Sequence, residues 1–166
     1  MTRFPTLAAL ALALLAIPAA AVELGTVEGR FVVNGQQVAL KHAYAAAESS
    51  AQGDQRFVRV VLSDQPISEQ DLAAFPDSVL PQINAGKLHA LRFLIVDEKG
   101  TLDATDVFLS AGMPTIKDAS RLELQSATEQ ALSGRLHLTA PQKFGDWSLS
   151  LDYDLRFAAA IRASGE

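Results

Sequence analysis

Hydrophobic and polar residues alternate with a period of two along most of the chain, a pattern typical of strands with one buried face. The clearest stretch is "WSLSLDYDLRF", residues 147–157. Its large apolar side chains all point one way: Trp147, Leu149, Leu151, Tyr153, Leu155 and Phe157. Its serine, aspartate and arginine side chains point the other way. This strict alternation favours an antiparallel sheet with a solvated outer face over a parallel sheet that is buried on both sides.

Shorter stretches with the same alternation predict the remaining strands. They lie near residues 30–45, 56–63, 88–96, 102–109, 119–127 and 133–140. In the first of them, Asn34-Gly35 separates two alternating runs and predicts a tight type I′ hairpin turn, which needs a positive φ at both central residues. With both arms of that hairpin counted, the chain has about eight strands.

One segment, near residues 68–85, follows helical rather than strand periodicity. Ser68 and Asp71 resemble a capping box with aspartate in place of glutamate. The apolar residues that follow have helical spacing: Leu72, Phe75, Val79, Leu80 and Ile83. Pro76 has no amide hydrogen and disfavours helical geometry in the residue before it, so we expect two short helical pieces. Their apolar stripe is expected to cover an edge or end of the sheets.

These elements predict an all-β, mainly antiparallel fold. We expect an Ig-like β-sandwich of about eight strands with a short helical insertion near residues 68–85. An eight-stranded lipocalin-like barrel is the alternative, because the number and alternation of strands fit both architectures. The two differ in function, since such a barrel encloses a ligand cavity whereas a sandwich fills its interior and binds at loops or edges.

The N-terminus has the pattern of a secretory signal peptide. Arg3 precedes an apolar run over residues 7–17, which Pro18 and small residues follow. The run is shorter than the roughly 20 residues that span a bilayer. We therefore expect cleavage after about Ala21, a single β domain over residues 22–166, and a bacterial periplasmic or secreted protein.

The amino-acid composition limits the kinds of binding partner and the kinds of chemistry that we expect. The full chain has 14 basic and 19 acidic residues, and Arg3 is the one charged residue in 1–21, so residues 22–166 have a formal net charge of −6. This balance disfavours nucleic acid as a partner, since binding to phosphates depends on lysine and arginine. The chain has no cysteine, so disulfides, thiol chemistry and a lipidated N-terminal cysteine are excluded. No later segment is apolar and long enough to predict a transmembrane span.

His42 and Tyr44 are the candidate ligand-binding residues. They follow the predicted hairpin and, at a spacing of two, would share one face with Val38 and Leu40. With Val38 and Leu40 in the core, His42 and Tyr44 would lie at the mouth of the β domain and could line a ligand pocket. The alternative is a strand end at which two amphipathic side chains bury their rings and leave their polar tips in water.

The sequence contains no legible catalytic or metal-binding pattern. His89 and His137 are the other histidines, but no His-x-His spacing supports a zinc or copper site. Gly-x-Ser-x-Gly and Ser-x-x-Lys motifs are also lacking. Asp152 and Asp154 are expected on a solvated outer face, where Arg156 can offset their charge. Asp103 and Asp106 are expected in an acidic turn, which lacks the Asp-x-Asp-x-Asp-Gly order of a calcium loop. We therefore predict no catalytic residues, no metal and no cofactor.

Four stretches carry a resemblance to known sequences: "GTVEGRFVVNGQQVALKHAYA", "VRVVLSDQPI", "GKLHALRFLIVDEKG" and "WSLSLDYDLRFAAAI". The chain resembles a broad group of exported bacterial β-sandwich proteins in which a "VNG" hairpin precedes an "HAYA" strand and an "LSD-x-P" turn. The resemblance spans most of residues 22–166. It implies the fold and export but no activity and no site residues.

Taken together, the sequence predicts a non-enzymatic binding module that acts in the bacterial periplasm or cell envelope. It would bind an envelope or secreted protein through loops, a strand edge or the helical insertion. A small-ligand carrier with His42 and Tyr44 at its mouth, or an immunity or inhibitor protein against a toxin or hydrolase, are the alternatives.

Overall fold

The computed structural model describes residues 21–49, 56–96 and 100–163. The strands in these ranges are β1 (Thr26–Val33), β2 (Gln36–Gln37), β3 (His42–Ser49), β4 (Arg56–Ser63), β5 (Ala90–Ile95), β6 (Leu102–Phe108), β7 (Thr115–Ile116), β8 (Ser120–Ala127), β9 (Ala131–Leu138), β10 (Gln142–Phe144) and β11 (Leu149–Ala163). Two short helices, α1 (Glu69–Ala73) and α2 (Leu80–Asn84), lie between β4 and β5. The predicted signal peptide lies outside the described residues, apart from Ala21.

The strands form one continuous sheet in the order β7-β6-β5-β4-β3-β1-β11-β9-β8, with β2 paired to β1 and β10 to β11. Nearly all pairings are antiparallel; the exception joins Ile161–Ala163 of β11 to Ala45–Ala47 of β3 in parallel. At the far ends of the sheet, β6 and β8 come into contact, so the sheet is nearly closed. The predicted all-β, mainly antiparallel class is confirmed, and the nearly closed sheet is also compatible with the barrel-like alternative.

The predicted hairpin turn is present between β1 and β2. Asn34 and Gly35 have φ angles of +50° and +79°, the left-handed values that a type I′ turn requires. The Asn34 Oδ1 atom accepts a hydrogen bond of 2.7 Å from the Ser150 backbone amide. The turn is therefore also tied to the start of β11, more than a hundred residues away in sequence.

The side chains on the concave side of the sheet form the main core. Phe93 and Phe157 meet edge to face in it, with ring centroids 5.5 Å apart. The predicted inward residues of the last strand are buried: Leu149, Leu151, Tyr153, Leu155 and Phe157. Burial of this many large apolar side chains is the main favourable contribution to folding.

Trp147 was also predicted to point inward, and this prediction was wrong. Trp147 lies in a 3₁₀ turn, Gly145–Trp147, that precedes β11, and it is 45% exposed. Ser148, with a φ of +48°, leaves the extended conformation, so the alternation of β11 begins only at Leu149. The indole ring instead covers Gly112, where an added Cβ would lie 2.7 Å from Trp147 Cγ.

The helical insertion forms an outer layer, and the predicted helical interpretation of residues 68–85 is confirmed. The Ser68 side chain caps α1 by accepting a hydrogen bond from the Asp71 amide. Pro76 separates α1 from a 3₁₀ turn over Asp77–Val79 that leads into α2. The apolar stripe packs on the outer face of β4, β5 and β6, against Val61, Ala90 and Phe108, rather than on a sheet edge or end as predicted.

Candidate functional site

A groove with a volume of about 440 Å³ separates α1 from the outer face of β3 and β4. The groove is lined by Tyr44, Ala45, Ala46, Glu48, Arg59, Val61, Glu69, Leu72, Ala73 and Arg162. Its volume falls within the roughly 300–1,000 Å³ of known ligand pockets. The groove is therefore our candidate functional site.

The floor of the groove is apolar and comes from paired positions on two strands. Tyr44 lies opposite Val61 in the β3–β4 ladder, and Ala46 is two residues further along the same face of β3. Leu72 of α1 forms part of the facing wall. The Tyr44 hydroxyl accepts a hydrogen bond of 2.9 Å from the Ile67 amide, which holds the start of the insertion against β3. Because the Ala46 side chain is small, there is open space above this part of the floor. A larger residue at position 46 would fill that space.

Arg59 anchors the wall that α1 forms. Its Nε lies 2.8 Å from Glu48 Oε1, and its two terminal nitrogens donate to the backbone carbonyls of Leu72 and Phe75 at 2.9 and 3.3 Å. These carbonyls belong to the end of α1 and the turn after it, where the helix itself leaves acceptors unpaired. The Arg59 side chain is only 13% exposed, and each of its three guanidinium nitrogens has an acceptor, so Arg59 holds the groove together.

A second ion pair joins the two walls at the surface. Arg162, near the end of β11, donates to Glu69 of α1 at 2.5 Å. The Arg162 side chain is 51% exposed and the Glu69 side chain is 84% exposed. Because exposed pairs of this kind contribute only about 0–1 kcal/mol, this contact can open at little cost. The groove thus contains one fixed cation, Arg59, and one exchangeable cation, Arg162.

Of the two candidate ligand-binding residues, Tyr44 lines the groove and His42 does not. Their rings are stacked with centroids 6.4 Å apart. The predicted common face with Val38 and Leu40 was wrong. Residues 38–41 are not in a strand, and across them the side-chain direction changes, so that Leu40 and Ala43 point into the core while His42 and Tyr44 lie on the outer face.

The structure places the three histidines at separate positions. His42 pairs with Ser63, and His137 lies opposite Asp154 in the β9–β11 ladder. Asp64 accepts hydrogen bonds from the His89 ring nitrogen Nδ1, at 2.7 Å, and from its backbone amide, at 2.9 Å. This contact joins the end of β4 to the start of β5. Among residues 21–49, 56–96 and 100–163, no group of three or more histidine, aspartate or glutamate side chains is arranged to hold a metal ion.

The carboxylate pair of β11 is held by arginines on neighbouring strands. Asp152 contacts Arg30 at 2.8 Å, and Asp154 contacts Arg135 at 2.7 Å. The hydrogen bond from Arg135 lowers the pKa of Asp154, while partial burial acts in the opposite direction. Arg156, the expected partner, instead contacts Glu28. These side chains form an ion-pair network on the outer face of the sheet.

Asp103 and Asp106 were expected in an acidic turn, but both lie in strand β6. Asp106 accepts a hydrogen bond of 2.6 Å from Arg92 of β5 and another from Thr115. Asp103 is exposed and borders a second cavity of about 390 Å³ between β6 and β8, where the sheet is not closed. Ser120 lines this cavity as well.

Behind that cavity, Ser120 shares a buried hydrogen bond of 2.5 Å with Tyr153. Burial raises the pKa of the Tyr153 hydroxyl, and the hydrogen bond with Ser120 acts in the opposite direction. Tyr153 is therefore neutral at physiological pH. This hydrogen bond satisfies two hydroxyl groups in a part of the core that also contains the buried Thr105.

Comparison with known proteins identifies no relative. No family model, curated protein sequence or solved structure matches the chain. The fold and the groove therefore define the class only as an all-β protein with a nearly closed sheet and a surface groove under a helical insertion. In the part of the chain that the structure describes, no helix is long and apolar enough to cross a bilayer.

Proposed function

We propose that the protein is an exported, non-enzymatic binding module of the bacterial periplasm or cell envelope, and that it binds an apolar segment of a partner protein in the groove. The observation that carries this proposal is the combination of an apolar floor with walls whose charges are already paired. The hydrophobic effect then supplies the driving force for binding. Export is supported by the N-terminal sequence pattern.

The contacts of the charged side chains also support a binding role rather than a catalytic one. Glu48 and Arg59 satisfy each other and the carbonyls of the insertion, so they are occupied in structural contacts. A partner that covers Ala46 and Leu72 would displace water from apolar surface without breaking these contacts. The groove is thus preorganised, which reduces the entropy lost on binding.

A small-ligand carrier is the second candidate function. It is favoured by the volume of the groove, about 440 Å³, and by Tyr44 on its floor. An acyl chain or another small apolar molecule could occupy the same space. An inhibitor or immunity protein is a special case of the first proposal, in which the partner is a toxin or hydrolase.

Site-specific photo-cross-linking tests the proposal. Benzoylphenylalanine is placed at Ala73, an exposed residue that lines the groove, and the protein is irradiated in an envelope extract. We expect a reproducible adduct with one envelope protein, attached through an apolar segment that mass spectrometry can locate. The reason is that an occupant of the groove passes within a few ångströms of this position.

The adjacent residue, Ala74, provides the matched control. It is also exposed but does not line the groove. Benzoylphenylalanine at position 74 is expected to give no such adduct. Equal adducts from both positions, or none from position 73, would reject the groove as the site of a protein partner. Adducts with a lipid alone would favour the carrier.

A further inference from the structure

We infer that the groove recognises the C-terminal end of its partner, with the terminal carboxylate on Arg162 and the last apolar side chains on the floor. This inference rests on the proposed function and names the chemistry of the occupant. Arg162 and the floor are both parts of the same lining. A free peptide carboxylate and the guanidinium group form a charge-assisted, bidentate contact.

The two arginines of the groove differ in how readily they can accept an anion. Arg59 has three acceptors and is 13% exposed, so a ligand would have to break several contacts to reach it. Arg162 is held across the groove by Glu69, whose side chain is 84% exposed. When a ligand carboxylate replaces Glu69 as the partner of Arg162, the displaced Glu69 carboxylate is hydrated at once, because its side chain already faces water. The exchange therefore costs little and leaves Arg162 paired.

The polar atoms of the walls favour a peptide over an acyl chain as the occupant. Arg59 lies opposite Ala46 in the β3–β4 ladder, and Glu48 is two residues further along β3, so both charged side chains border the apolar floor. An acyl chain would bring only methylene groups next to these charges and would desolvate them without return. A peptide brings amide groups to the same positions. Capture of a terminal carboxylate together with apolar side chains is a known mode of peptide recognition.

The test compares two forms of one fluorescein-labelled peptide, Gly-Ser-Gly-Ala-Val-Leu, with either a free carboxylate or a C-terminal amide. Binding to the purified protein is followed by fluorescence anisotropy. In the unchanged protein we expect the free acid to bind about twofold more tightly, because a bidentate contact replaces the single hydrogen bond from Arg162 to Glu69. Glu69→Gln removes the competing carboxylate and is expected to increase this ratio to about fivefold, the factor that corresponds to one favourable exposed ion pair.

Arg162→Gln is expected to make the two peptide forms bind equally. Arg156→Gln is the control, because Arg156 is also on β11 and also forms one exposed ion pair, with Glu28; it should leave the twofold ratio of the unchanged protein intact. Circular dichroism on each variant verifies that the fold is retained.

Three results would overturn the inference. If acid and amide bind equally to the unchanged protein, the terminal carboxylate is not recognised, although cross-linking at Ala73 can still support a groove-binding partner. If neither form binds, a C-terminal segment of this kind is not the occupant. If dodecanoate saturates the groove while both peptides fail to bind, the acidic occupant is a lipid rather than a protein end.

Discussion

Replacing Gly29 by alanine is expected to reduce the free energy of unfolding by about 3 kcal/mol or more. Gly29 has a φ of +121°, and a Cβ atom added there would lie 2.2 Å from the backbone oxygen of Asp154. This oxygen belongs to β11 and cannot rotate away as a flexible side chain would. The substitution therefore combines backbone strain with a disruption of the β1–β11 ladder, which runs through the middle of the sheet. Urea unfolding, followed by circular dichroism, measures the effect.

Gly35→Ala separates these two contributions. Gly35 also has a positive φ, +79°, but an added Cβ would have no atom within 4 Å. The strain remains and the clash is absent, so we expect a loss of about 1 kcal/mol. If both variants lose the same stability, β1 and β11 do not pair in the register that places Gly29 opposite Leu155.

Arg59→Met is expected to lower the free energy of unfolding by about 2 kcal/mol, between the values for exposed and buried ion pairs, because the Arg59 and Glu48 side chains are 13% and 26% exposed. Methionine keeps much of the apolar stem but leaves Glu48 and the carbonyls of Leu72 and Phe75 without their donor. Because these carbonyls fix α1 over β4, we also expect faster hydrogen exchange throughout α1. Urea unfolding and exchange measured by mass spectrometry test the two expectations.

Arg156→Met is the matched control for this change. Arg156 contacts Glu28 at 3.1 Å, and both side chains are well exposed, at 39% and 53%. Its removal is expected to cost no more than about 1 kcal/mol and to leave exchange in α1 unchanged. Equal small effects from both substitutions would contradict the anchoring role of Arg59, and with it the fixed wall of the groove.

The fold was largely predictable because its signals are local. Asn34-Gly35 requires positive φ values wherever it forms a tight turn, and the alternation in residues 149–157 follows from burial of one face of a strand. The capping interaction between Ser68 and Asp71 spans three residues. Each of these features depends on neighbours in sequence, and each was confirmed.

The errors have a common physical cause, which is a change of backbone conformation that alternation alone does not reveal. Ser148 adopts a left-handed φ and thereby separates Trp147 from the alternating strand. Residues 38–41 leave the sheet, so the side-chain direction before them does not carry over to His42 and Tyr44. A shift of one residue is enough to move a side chain to the opposite face of a sheet.

The groove could not be predicted from the sequence, apart from Tyr44. Its charged residues come from β3, β4, α1 and β11, and the contact between Glu69 and Arg162 joins positions 93 residues apart. In the sequence, Arg59 and Arg162 are indistinguishable from the arginines of a solvated face. Only the packing of the insertion against β4, and the pairing of the end of β11 with β3, bring them together.

Binding of the partner in the groove is tested most directly by titrating the ¹⁵N-labelled protein with the partner recovered by cross-linking and following amide chemical shifts by NMR. We predict that the largest shifts occur at residues lining the groove, namely Ala46, Arg59, Val61, Ala73 and Arg162. Largest shifts at the opening between β6 and β8, around Asp103, Lys117 and Arg121, with the groove amides unchanged, would contradict the claim.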